Sequence, residues 1–91
     1  ISEIADTEND SHAGEIETSL MLYLAPEFVR GRSKEEYPKI PRPFIVKDKI
    51  KYWKGTVWGD PKKATLKKGR AVFDIMVKDL VGIVKRIERP F

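Results

Sequence analysis

A chain of 91 residues with a formal charge of +4 and no cysteine has room for one small domain with a modest core, short of the usual size of a self-contained hydrolase. It excludes disulfides, thiolate metal sites and a thiol nucleophile. No apolar run approaches the roughly 20 residues that span a bilayer, and the acidic start ISEIADTEND lacks the basic-then-apolar order of a signal peptide.

These features predict a soluble, cytoplasmic protein with no membrane partner. A charged fraction of 35% without cysteine suits a thermophilic source.

Residues 1–9 read as an acidic loop without sustained periodicity. Asp10 or Ser11 then offers an N-cap oxygen to the unpaired amides of a first helical turn, and the spacing predicts a helix from about Ala13 to Leu24. Pro26 stops it, because proline restricts the residue before it and lacks an amide donor. Glu17, Leu20, Met21 and Leu24 align on one face, with Ile16, Ser19 and Tyr23 beside them. This pattern turns Glu17 inward, where its carboxylate needs compensation, and leaves Glu15 at a rim or in solvent. Gly14 bares the backbone for a ligand or a second chain segment.

Residues 25–60 carry no clear helical pattern. Pro38, Pro41 and Pro43 favour extended chain or a sheet edge, with short strands expected around Phe44–Val46 and Lys51–Trp53. Trp53 and Trp58 flank Gly55, and their rings are expected to cover a core or a subunit interface rather than to touch substrate.

Asp60 followed by Pro61 predicts an N-cap and first helical position, opening a helix to about Ile87. Val72, Ile75, Met76, Leu80, Ile83, Val84 and Ile87 make its apolar side. Gly69 and Gly82 mark places where another backbone packs closely. No internal repeat is present. The two apolar helix faces exceed what they can cover on each other, which favours a fragment or an obligate assembly.

Chemistry concentrates in the stretch DSHAGEIETSLML at residues 10–22. Histidine is the side chain that transfers protons near neutral pH, and a carboxylate one turn further on can ligate a metal or orient the proton carrier. Taken alone, His12 and Glu17 also fit an ordinary cap and a surface residue. Lys62, Lys63, Lys67, Lys68 and Arg70 form a basic cluster able to bind phosphate. With no nucleic-acid motif beside it, the cluster reads as a solvated helix face, and no nucleic-acid partner is expected.

HAGEIETSLML at 12–22, APEFV at 25–29 and VWGDPKKATLKKG at 57–69 together resemble the creatininase family of metal-dependent amidohydrolases. The resemblance runs through residues 10–29 and 56–70. It implies an α/β layered fold with a mainly parallel sheet flanked by helices, of which residues 1–91 form the C-terminal part of a single domain. It also implies homo-oligomers, hexamers among them, and an active site with two divalent ions, such as zinc, manganese or iron, that activate water to attack an amide carbon.

By the same resemblance His12 takes the position of the proton-transferring histidine. Glu17 takes that of the glutamate at the metal site, and Asp10 lies in the polar approach to the histidine. Most family ligands are a glutamate-x-histidine pair, a following aspartate and the histidine of an Asn-Gly-His motif, all from the N-terminal half and all absent here. The resemblance therefore implies that half as a partner, a small-molecule amide as substrate, and no activity in these 91 residues alone. Substrates in such a family include creatinine, a formamidopyrimidine nucleotide that loses formyl, and a peptide-derived cofactor precursor. The basic residues and thermophile-like composition tilt the expectation to the deformylase. The alternatives are a non-catalytic oligomerisation module and, behind it, a nucleic-acid binder.

Overall fold

The computed structural model describes residues 1, 3–39, 51 and 53–89. Helix α1, Glu15–Leu24, begins two residues after the predicted start, because Ala13 has a left-handed φ of 49° that a helix cannot include. Its N-cap, Gly14, has no side chain to offer. Asp10 supplies the missing acceptors from further back: Oδ1 takes the Glu15 amide at 2.7 Å and Oδ2 the Ile16 amide at 3.1 Å, so the expected capping role falls to Asp10. Pro26 ends α1 as predicted and opens a single 3-10 turn, Pro26–Phe28.

The second helix departs from its predicted start. Asp60 and Pro61 open only a 3-10 turn, Pro61–Lys63, in which Asp60 accepts the Lys62 amide at 3.1 Å. Ala64 is extended, and Thr65 caps helix α2, Leu66–Glu88, by accepting the Lys68 amide at 3.1 Å. The helix cannot begin earlier because the Thr65 amide bonds to Ser19 Oγ on α1, at 3.1 Å.

Gly69 lies directly against the backbone carbonyl of Ser19, in space that a Cβ would occupy. The close approach expected at Gly69 is therefore present, whereas Gly82 has open space around it. Beside the crossing, Val72 is fully buried and the Tyr23 and Phe73 rings meet at 5.5 Å.

Both predicted apolar faces need correction. On α1 the residues turned to α2 are Glu15, Ser19 and Tyr23, the first two fully buried, while Met21 and Leu24 are exposed. Hydrophobicity alone selected the wrong stripe, because a glycine on α2 brings the backbones close enough for small and hydrogen-bonded side chains to fill the contact. On α2 Val72 is buried and Ile75 half-buried, but Met76, Leu80, Ile83, Val84 and Ile87 are exposed. The cause is length: α1 has 10 residues and α2 has 23, and at about 1.5 Å per residue α2 outruns the helix that covers it.

The remaining framework is loop pairing. Two isolated antiparallel bridges, His12 with Trp58 and Glu36 with Gly59, tie three segments together. The strand expected at Phe44–Val46 lies outside the described residues. At Lys51–Trp53, Lys51 is helical and Trp53 irregular; the Trp53 indole donates to the Val57 carbonyl at 2.7 Å, folding this stretch back on itself. Among the described residues no helix is long and apolar enough to cross a membrane.

Candidate active site

His12 sits at the mouth of α1, exposed to solvent and held from three sides. Its backbone exchanges hydrogen bonds with Trp58, the His12 amide donating at 3.0 Å and the Trp58 amide returning one at 2.7 Å. Its imidazole Nδ1 lies 2.8 Å from the Thr56 carbonyl. The Trp53 ring packs on it nearly at right angles, with centroids 5.4 Å apart, and Trp53 in turn meets Trp58 at 5.8 Å. Among the described residues the two tryptophans thus support the histidine, Trp53 directly and Trp58 through Trp53 and the backbone.

Two glycines let the loops approach this closely. Gly14 and Gly59 stack backbone on backbone, with Asp10 Oδ1 occupying the space that either side chain would need, and Gly59 has φ 144°. The bare backbone expected at Gly14 thus receives a second chain segment.

Glu17 is exposed, not inward. Its Oε2 accepts the Ala13 amide at 2.8 Å, reaching back over the helix start as the glutamate of a capping box does. That bond fixes the left-handed Ala13 beside His12. Asp10, Glu17 and His12 are thereby brought to one helix mouth, Asp10 as the cap, Glu17 as the clamp and His12 as an exposed ring held by Thr56 and Trp53.

The buried carboxylate is Glu15. Its oxygens accept the Asp6 amide at 3.0 and 2.9 Å, the Thr7 amide at 2.8 Å and the Lys68 ammonium at 2.7 Å. Burial pushes its pKa up, but the Asp6 amide, the Lys68 ammonium and the Thr7 amide outweigh burial and hold it at about 2. Lys68 also reaches Asp6 Oδ2 at 2.6 Å and the Lys63 carbonyl at 2.9 Å. Its pKa is raised, first by the hydrogen bond to Asp6 and next by that to Glu15. One member of the expected basic cluster is thus turned inward, while Lys62, Lys63, Lys67 and Arg70 remain exposed.

Among the described residues no three His, Asp or Glu side chains converge as a metal site would require. The donor chemistry here fits a contribution to such a site through one exposed carboxylate, at Glu17. Sequence reasoning missed Glu36 and Thr56. Their signal was absent from residue types, because Thr56 acts through its carbonyl and Glu36 through the backbone amides of Lys54 and Gly55.

The sequence model of the creatinine amidohydrolase family matches residues 2–84. Two curated relatives, each called a mycofactocin precursor peptide peptidase and each from a strain of Mycobacterium tuberculosis, are 35% identical over 82 residues, covering 85% of this chain and 33% of theirs. The chain thus spans about a third of the length of the curated relatives it matches. No solved structure matches it significantly. With the His-Ala-Gly-Glu-x-Glu-Thr-Ser string built into a helix mouth and the family match running over nearly its whole length, the chain belongs to the creatininase (creatinine amidohydrolase) family.

Proposed function

We propose that a longer protein containing this chain is a metal-dependent amidohydrolase that cleaves a non-peptide or peptide-derived C–N amide bond, with His12 moving the proton. The observation that carries this reading is the exposed imidazole held by Thr56, Trp53 and the Trp58 backbone, which presents one ring nitrogen outward. A fixed histidine able to donate to the departing nitrogen, or to take a proton from attacking water, is what amide hydrolysis requires of a general acid and base.

In this reading Glu17 supplies one carboxylate ligand and residues outside this chain supply the others. A pair of divalent ions such as zinc, manganese or iron, when bound, polarises the carbonyl and lowers the pKa of water. This chain's own part is to orient His12, to hold Glu17 against the Ala13 amide, and to wall the site with Trp53. The layered α/β domain and its homo-oligomer are completed by the segment that carries the missing ligands.

A peptide-derived substrate is favoured over a formamidopyrimidine nucleotide. The curated relatives are named peptidases, and Lys68, part of the cluster that suggested a phosphate, is already saturated by Asp6, Glu15 and the Lys63 carbonyl.

The test is turnover of the metal-loaded full-length protein on a panel of short peptides, formamides and creatinine. His12→Ala is expected to keep its metal content while slowing turnover by about 100-fold or more; a normal rate would remove His12 from the chemistry. Glu17→Gln is expected to lower both metal content and turnover, and no change in either would end its role as a ligand.

A further inference from the structure

We propose that Glu36 and the carbonyl of Thr56 are positioning elements that fix the proton of His12 on Nδ1, leaving Nε2 as the nitrogen presented to substrate. The inference rests on the assignment of His12 as the proton carrier and extends it to a particular ring atom.

A carbonyl oxygen can only accept a hydrogen bond, so an imidazole nitrogen 2.8 Å from the Thr56 carbonyl must carry the proton when the ring is neutral. Free histidine side chains in water favour the other tautomer, with the proton on Nε2. The protein must therefore spend structure on holding that carbonyl in place, and the loop shows where. Thr56 has φ 56°, a left-handed conformation that is an outlier for a β-branched residue and persists only where the surroundings over-determine it.

Glu36 provides that over-determination. Its carboxylate accepts the amides of the two residues before Thr56, Lys54 at 3.0 Å and Gly55 at 2.8 Å. Its backbone pairs in both directions with Gly59, three residues after Thr56, at 3.0 and 2.9 Å. The loop is thus gripped on either side of the strained residue by one amino acid. Across its base the Trp53 indole donates to the Val57 carbonyl at 2.7 Å, and the same Trp53 ring packs against His12. Ring, carbonyl and clamp form one connected unit.

The experiment is nitrogen-15 NMR of the imidazole in the full-length protein, at a pH where the ring is neutral, with the His12→Gln variant used to assign the signals. The parent is expected to show Nδ1–H as the major form. Glu36→Ala should make Nε2–H the major form and lower kcat, at a largely retained melting temperature. Glu36→Gln, which keeps one acceptor, should fall between them and decides the matter where Glu36→Ala does not fold. Thr56→Gly should keep Nδ1–H, because glycine adopts this φ without strain. A parent already in the Nε2–H form, or Nδ1–H persisting unchanged in a folded Glu36 variant, would overturn the proposal. The tautomer is read without substrate, so its failure is separable from a failure of His12 in turnover.

Discussion

Two glutamates one residue apart on either side of Ile16 exchange the roles that hydrophobic spacing predicts for them. The reason is visible only in three dimensions: Glu15 meets Lys68, which is 53 positions away, and the amides of a loop whose path the sequence does not declare. A buried carboxylate that accepts four hydrogen bonds from three donors is held ionised well below its ordinary range, so its contribution to stability has a definite pH window. Its pKa lies at about 2 in the folded protein against an ordinary 4.5. A lowered folded value means that the stabilisation is complete above about pH 4.5 and disappears as pH falls toward 2, amounting to about 3 kcal/mol when complete. Glu15→Gln should therefore be less stable than the parent by about that amount at pH 7 in urea unfolding, and the gap should close between pH 4.5 and 2. A gap of constant size across that range would mean that the charge of Glu15 is not what the network stabilises. The capping by Asp10 was legible beforehand, since capping is a local property, whereas the placing of Glu17 at the helix mouth was not, because hydrophobic spacing turns it inward. Glu36 and Thr56 were not, because they act through backbone groups of a distant loop.

The helices were legible as elements, but the way they meet was not. Asp60 followed by Pro61 is a genuine helix-opening signal, and it does open a turn. Five residues later Thr65 takes over because its amide is claimed by Ser19 of the other helix, a tertiary override that no local pattern contains. The two glycines of α2 separate these levels cleanly. At Gly69 a Cβ would collide with the Ser19 carbonyl, and backbone cannot yield as a flexible side chain can, so Gly69→Ala should destabilise by about 1–3 kcal/mol. At Gly82 there is open space, and Gly82→Ala should stabilise by about 1 kcal/mol through helix propensity alone. Thermal melts of the two variants side by side give opposite signs if α2 crosses α1 at Gly69. Equal signs would mean that the crossing lies elsewhere, or that something packs on Gly82 in the longer protein.

At the scale of the molecule, the excess of apolar helix face over available cover was readable from the sequence, and its location follows from the structure. Beyond the crossing, Phe73, Met76, Val77, Leu80 and Ile83 line an open groove on α2, and Leu80 and Ile83 are 61% and 55% exposed. Leaving such side chains in water forgoes about 1.5–3 kcal/mol each. The chain spans a third of the length of its curated relatives, and in a longer protein any further segment would be tethered to this helix and therefore favoured over a separate molecule as the occupant. Leu80→Lys combined with Ile83→Lys in the full-length protein should lower its melting temperature by several degrees, while Lys78→Ala, just before them on the same helix, should not. A loss that grows on dilution would assign the groove to a second copy instead. No loss at all would mean that α2 keeps this face in solvent.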